Sequence, residues 1–243
     1  MSTHTHTVHG LERRPTIHIP GAMSVRLAAL GGVIAFALIL VFANLTSGSP
    51  NAGDSSQKIY TYISAHDGRL QLAAVLYGLA MPAALLFISG LFRALREAEG
   101  ERAGLAVAAL SGGVLAAASS VTGALVLGVT ATRITDIGPA NARLWWTMYL
   151  MSFGATLLGL LLTIGATAIV SLETKLLSRW FSLASVLVAL ISIVGAFAIG
   201  YATTTGILAT AVIAVILCGV WIAVVSLSLW RHPELALPRG WET

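Results

Sequence analysis

The sequence is poor in charge: only 10% of its 243 residues are Asp, Glu, Lys or Arg, whereas 57% are hydrophobic. Soluble domains carry about 25% charged residues, so the composition excludes an ordinary soluble domain. A membrane-spanning helix needs about 20 mostly apolar residues, and the last of five charge-free stretches is long enough for two. The sequence therefore predicts six membrane-spanning helices. The five stretches lie between Arg26 and Asp54, Arg69 and Arg93, Arg102 and Arg133, Arg143 and Glu173, and Arg179 and Arg231.

Chemically reactive residues are scarce as well. Cys218 is the one cysteine, so an intrachain disulfide is excluded, and it lies inside a predicted span. No His, Asp, Glu, Lys or Arg occupies the middle of a predicted span, and such residues usually mark ion paths, proton relays or haem ligands. The motifs of zinc proteases, serine hydrolases and phosphate-binding loops are missing too. These absences predict a protein that is not an enzyme and holds no cofactor or metal.

The predicted fold is all-α: a polytopic bundle with polar tails. Residues 1–24 form a His-rich tail predicted to be disordered, residues 25–230 the six-helix transmembrane domain, and residues 231–243 a second tail. Ten of the fourteen Lys and Arg residues fall on the N-terminal side of the membrane, which predicts cytoplasmic N- and C-termini. Metal binding by the His-rich tail stays open, as does cleavage of span 1 as a signal. The predicted spans are 25–43, 70–91, 105–130, 145–171, 180–201 and 207–230.

A polar segment precedes span 2 at the predicted outer surface. Asp54 followed by Gln57 is typical of a helix N-cap, and Gly68 is the expected stop, which predicts a short amphipathic helix on the membrane surface. Adjacent helical residues point about 100° apart, so His66 and Asp67 do not readily share a metal ion. We expect Asp67 instead to pair with Arg133 or Arg143 of the second outer loop. The candidate outer-edge polar cluster comprises His66, Asp67, Arg69, Asp136 and Arg143.

Hydroxyl and small side chains recur at helical spacing on the spans. This pattern is typical of helix packing, because small residues allow close approach and hydroxyls bond across the contact. The alternative is a polar pathway for a neutral solute. The candidate hydroxyl stripe comprises Ser152, Thr156, Thr163 and Thr167 on span 4, with Ser182, Ser185 and Ser192 on span 5. A stripe of small residues on span 3 comprises Gly104, Ala108, Gly112, Ala116, Ser119 and Gly123.

Span 2 contains an internal proline, Pro82, which removes a backbone donor and predicts a bend. With Tyr77, Gly78 and Met81 on the preceding turn, it is a candidate for a hinge or a cavity wall. Matching breaks in two halves of the chain would indicate a transporter repeat. No second span has an internal proline, so a static packing kink is favoured.

Three short runs carry a family resemblance: YTYISAHDGR at residues 60–69, LFRALR at residues 91–96, and LSRWF at residues 177–181. On these runs the chain resembles a widespread group of uncharacterised actinobacterial six-span membrane proteins, over residues 25–230. The resemblance implies a bacterial plasma (inner) membrane protein with no assigned activity, and it carries over no catalytic residue. Ser178 stands where the group is expected to have proline.

Two main hypotheses on function follow. The first is a non-enzymatic accessory or lipid-contacting component of a membrane assembly, with membrane lipids and other membrane proteins as partners. The second is a permease for a neutral or amphiphilic small solute. The two hypotheses differ in one expectation: the stripes of spans 3, 4 and 5 pack tightly in the first and surround a cavity in the second. An enzyme acting through His66 and Asp67 is a third hypothesis, and nucleic acid is excluded because no basic stripe is interleaved with aromatics.

Overall fold

The computed structural model describes residues 21–201 and 205–233. In these residues six helices are long and apolar enough to cross a membrane, so the predicted all-α, multi-pass fold is confirmed. The predicted tails lie largely outside the described residues, although residues 21–24 belong to the first helix. The elements are α1 (Gly21–Leu45), α2 (Ser56–Ala65), α3 (Asp67–Glu99), a 3₁₀ turn (Gly100–Arg102), α4 (Gly104–Thr132), α5 (Ile134–Thr174), α6 (Arg179–Tyr201) and α7 (Thr205–Arg231).

The six long helices form a closed ring in chain order. Each helix from α4 to α7 packs against the helix before it, and α1 packs against both α3 and α7. Polar contacts join the opposite ends of α1 and α3: Arg93 donates to Ser24 Oγ at 2.9 Å, and Arg69 donates to the Asn44 carbonyl at 2.7 Å. These two helices are therefore antiparallel. The ring has a terminal end, where α1 begins and α7 ends, and a capped end, where α2 lies.

Two clusters of buried side chains fill the ring. One draws on all six long helices and includes Phe87, Leu157 and Trp221. The other lies at the capped end and draws on α1 to α5. There α2 contributes Ile59 and Ile63, whose side chains are 0% and 1% exposed. The short amphipathic helix is thus present, but its apolar face packs against protein rather than lipid, because the open end of the ring offers an apolar surface to cover.

The start of α2 differs from the expected cap. Ser55 is the N-cap residue, and its hydroxyl accepts from the Lys58 N–H at 3.3 Å. Asp54 instead accepts from the Asn51 N–H and from Lys58 Nζ, each at 2.8 Å. The hydrogen bond from Lys58, followed by that from Asn51, lowers the pKa of Asp54 below its ordinary value. The helix ends at Ala65, so the expected stop, Gly68, lies within the first turn of α3.

The stretch predicted to form the second outer loop is helical. The fourth long helix, α5, begins at Ile134 rather than near residue 145, and it bends at Gly138. Gly138 has φ 69° and ψ 168°, a conformation that only glycine adopts without strain. Pro139 follows and suits the first turn of a helix, where its missing N–H is not needed. The charged stretch between spans 3 and 4 is therefore helical and not an irregular loop.

Glycines let α4 and α5 touch backbone to backbone. A Cβ on Gly159 would lie 2.6 Å from both the Ala116 nitrogen and the Gly112 carbonyl oxygen. Thr163 Oγ1 donates across the same contact to the Ala109 carbonyl at 3.0 Å. Small residues permit such close approach in membrane bundles. Here the stripes of spans 3 and 4 pack against each other.

Candidate functional site

The structure does not assemble the outer-edge polar cluster into a site. His66 Nδ1 lies 2.8 Å from the Tyr62 carbonyl oxygen, and Asp67 accepts from the Gly68 N–H at 2.7 Å. Arg69 binds the end of α1, and Arg143 is exposed. Within residues 21–201 and 205–233, no three His, Cys, Asp or Glu side chains are grouped so as to hold a metal ion.

The expected ion pair of Asp67 with Arg133 or Arg143 is not formed. Over the described part of the chain, the ion pairs are Lys58–Asp54 at 2.8 Å and Arg133–Asp136 at 3.3 Å. Arg133 pairs with Asp136, because residues three apart lie next to each other on a helical turn. Asp67 lies in the first turn of α3, where the helix dipole and a free N–H already favour a carboxylate.

Two buried hydroxyls of α6 contact α7. Ser185 accepts from Trp221 Nε1 at 2.8 Å, and Ser192 Oγ lies 3.2 Å from the sulfur of Cys218. Ser182, Ser185 and Ser192 each also donate to a carbonyl of their own helix, one turn earlier. All three are fully buried. Ser185 and Ser192 therefore join α6 to α7, and within the described residues no hydrogen bond links these three serines to the hydroxyls of α5.

On α5 the predicted stripe divides between two roles. Thr163 and Thr167, both fully buried, donate to carbonyls one turn earlier, and Thr163 also bonds α4. Ser152 donates to the Tyr149 carbonyl at 2.6 Å. Thr156 alone among the stripe residues lines the cavity that the ring encloses. The stripe is therefore mainly a packing surface with one exception.

That cavity, the central cavity, has a volume of about 100 Å³. Its walls come from α1, α3, α4, α5 and α7, between the two buried clusters. Representative apolar lining residues are Phe42, Phe87, Leu157 and Ile222. Among the described residues that line the cavity, none has a charged side chain. The cavity therefore suits an uncharged, largely apolar occupant.

Three hydroxyls form the polar part of the wall. Tyr77 Oη–H donates to Ser120 Oγ at 2.9 Å, and Ser120 Oγ lies 3.0 Å from Thr156 Oγ1. Thr156 Oγ1 donates to the Ser152 carbonyl at 2.9 Å. Tyr77 and Ser120 are 3% and 2% exposed. We call Tyr77, Ser120 and Thr156 the hydroxyl chain.

Stacked aromatic rings separate the cavity from the capped end. The ring of Tyr77 lies 4.3 Å from that of Phe42 and 5.5 Å from that of Phe153. Beyond Phe153 come Tyr149, at 5.2 Å, and then Trp146, 4.9 Å from Tyr149. Trp146 Nε1 donates to the Pro50 carbonyl at 3.0 Å, which ties the loop before α2 over the bundle. The capped end is therefore closed by rings and by α2.

Pro82 itself does not line the cavity. It lies inside α3, which continues as one helix, and its side chain is exposed on the outer face of the ring. Tyr77 and Met81, on the turn before it, do line the cavity. The stripe predicted on span 3 is buried at Gly112, Ala116 and Gly123, but its serine is wrong, since Ser120 and not Ser119 is buried. Steps of four from Gly112 through Ala116 lead directly to Ser120.

No family model, curated protein or solved structure matches the chain. The resemblance to actinobacterial six-span proteins, which rests on residues 60–69, 91–96 and 177–181, stays a prediction.

Proposed function

We propose that the protein is a non-enzymatic component of the bacterial plasma membrane that holds an apolar molecule, or the end of an amphiphile, in its central cavity. The observation that carries the proposal is the cavity: uncharged, ringed by five helices, and polar only at the hydroxyl chain and at Cys218, whose sulfur is in contact with Ser192. Both termini are assigned to the cytoplasm on the distribution of Lys and Arg.

The size and the apolar lining of the cavity support an apolar occupant. A dry engineered cavity of about 150 Å³ holds benzene. A volume of about 100 Å³ therefore admits an apolar group of roughly four heavy atoms. A longer molecule would continue outward beside Ala43, which lines the cavity and is exposed on the outer face of α1.

The outer faces of the ring support contact with lipid. Large apolar side chains on four different helices are exposed there, as in Leu79, Leu125, Leu158 and Leu187, which are 58%, 65%, 42% and 58% exposed. In water such surfaces would drive aggregation, whereas lipid chains cover them without cost. Membrane lipids are thus the expected neighbours and the first candidates for the occupant.

Filling the cavity is expected to release its occupant. Ala117 lines the cavity and is 6% exposed, so Ala117→Leu places three further carbons in the space. Purified in mild detergent, the wild-type protein should retain a lipid or other apolar molecule detectable by native mass spectrometry. The Ala117→Leu variant should lose most of it.

The matched control is Ala118→Leu, the same change one residue along on the exposed side of α4, which should retain the molecule. If Ala117→Leu folds poorly, Ala84→Leu fills the same space from α3. A wild-type protein without a bound molecule, or equal retention by the filled variants, would contradict the proposal.

The permease alternative makes a different prediction for the hydroxyl stripe. A water-lined path would expose Thr156, Thr163 and Ser185 in turn, whereas packing buries Thr163 and Ser185 completely. In a Cys218→Ala background, we expect Thr163→Cys and Ser185→Cys to resist a membrane-impermeant thiol reagent from both sides. Lys58→Cys, at an exposed position, is the reactive control. Labelling of either buried position in folded protein would favour the permease.

A further inference from the structure

The hydrogen atoms of the hydroxyl chain can be assigned by counting. The chain makes three hydrogen bonds, from Tyr77 to Ser120, between Ser120 and Thr156, and from Thr156 to the Ser152 carbonyl. A carbonyl oxygen only accepts, so the hydrogen of Thr156 is used there. Ser120 must then donate to Thr156, and Tyr77 to Ser120. This assignment follows from the network rather than from observed hydrogens.

The count leaves the hydroxyl chain with free acceptors and no free donor. Each of the three hydroxyl hydrogens is committed, and no bond to the Tyr77 oxygen as acceptor is found in the described residues. Ser120 and Thr156 each accept one bond and have one lone pair left. A ligand that brings a donor gains a hydrogen bond. A ligand that brings only an acceptor faces the lone pairs of these oxygens and gains no hydrogen bond, unless it breaks one within the hydroxyl chain.

We propose that the central cavity selects an apolar alcohol, whose hydroxyl donates to the oxygen of Tyr77 and whose hydrocarbon chain leaves beside Ala43. This inference rests on the proposed function and adds the chemical class of the ligand. Ketones, ethers and esters of the same length lack the donor, and a bare alkane lacks any polar group. Leaving a buried polar partner unpaired is what makes such sites selective.

The test compares 1-octanol, 2-octanone and n-octane on the purified full-length protein in detergent. Cys218 is the only thiol and is buried, so a thiol-reactive fluorogenic dye reports unfolding. Each ligand's shift in Tm is measured against the Ala117→Leu variant, which removes effects on the micelle. In the wild type, 1-octanol should bind roughly fivefold tighter than 2-octanone and raise Tm by about 2–4 °C more.

Removing two members of the chain should reverse this order. In the double variant Ser120→Ala with Thr156→Val, the Tyr77 hydroxyl has no partner and becomes a donor, so 2-octanone should match or exceed 1-octanol. The control double variant Ser111→Ala with Thr122→Val changes two exposed residues of α4 and should keep the wild-type order.

Two failures are distinguishable. The proposed preference for an alcohol is wrong if 1-octanol, 2-octanone and n-octane stabilise the wild type equally. It is also wrong if 1-octanol still raises Tm more than 2-octanone in the Ser120→Ala with Thr156→Val variant. In both cases the cavity remains a binding site. If none of the three ligands shifts the Tm of the wild type more than that of Ala117→Leu, both the alcohol preference and the proposed function are wrong.

Discussion

Replacing Gly159 with alanine is expected to destabilise the protein by about 3 kcal/mol, at the upper end of ordinary overpacking. The added Cβ would lie 2.6 Å from a backbone nitrogen and a backbone oxygen of α4, at Ala116 and Gly112. Backbone atoms cannot rotate aside as a flexible side chain can, so α4 and α5 must separate. Separation also weakens the bond from Thr163 to the Ala109 carbonyl. Thermal unfolding in detergent, followed through the Cys218 thiol, measures the loss.

Gly165 provides the control on the same helix. A Cβ there meets nothing within 4 Å, so Gly165→Ala should leave stability unchanged or raise it slightly through helix propensity. Equal Tm values for Gly159→Ala and Gly165→Ala would show that the α4–α5 contact is looser than these distances indicate.

Trp146→Ala is expected to cost about 3–5 kcal/mol, the range for deleting a buried aromatic side chain. Trp146 is 1% exposed and packs between Tyr62 and Tyr149. Its indole also holds the Pro50 carbonyl. The substitution therefore removes both a core side chain and the tie that keeps the loop before α2 over the bundle. The same thermal assay measures the loss of stability, and proteolysis of the loop at residues 46–55 should be faster in the variant than in the wild type.

Two further variants separate these contributions. Trp146→Phe keeps most of the apolar volume but not the hydrogen bond, and it should cost about 1 kcal/mol. Trp180→Ala removes an indole that is 84% exposed and should change stability by less than about 0.5 kcal/mol. A Trp146→Ala variant as stable as Trp180→Ala would mean that the capped end is not packed as described.

The spans could be predicted because lipid imposes a simple rule on them. A charged side chain at the centre of a bilayer is costly, so the charge-free stretches locate the six long helices. The rule says nothing about helical structure outside the lipid. For that reason α5 was expected to start near residue 145, although it starts at Ile134. The cap at Ser55, one residue after the expected Asp54, depended on loop geometry that spacing does not contain.

The candidate site was less accessible to sequence reasoning. Helical periodicity shows that hydroxyls share a face, but it does not show which neighbour that face meets. Thr156 lines the cavity and bonds Ser120 of α4, whereas Thr163, two turns later, lies away from the cavity and bonds the Ala109 carbonyl of the same helix. Tyr77 and Ser120 meet across a separation of 43 residues, and no local pattern predicts such a meeting. The outer charges were more conspicuous in the sequence, yet His66, Asp67 and Asp136 each bond within four residues of their own position.

The closure of the ring has a consequence for biogenesis. Every neighbouring pair of long helices is adjacent in the chain except α1 and α7. Successive pairs can therefore associate as they leave the ribosome and enter the membrane. The contact between α1 and α7, the seam of the ring, forms only after α7 has been synthesised. At that seam Gly32 lies against Ser226, and Gly219 against Phe36. Since α7 also supplies one wall of the central cavity, this cavity is complete only after synthesis of the last helix.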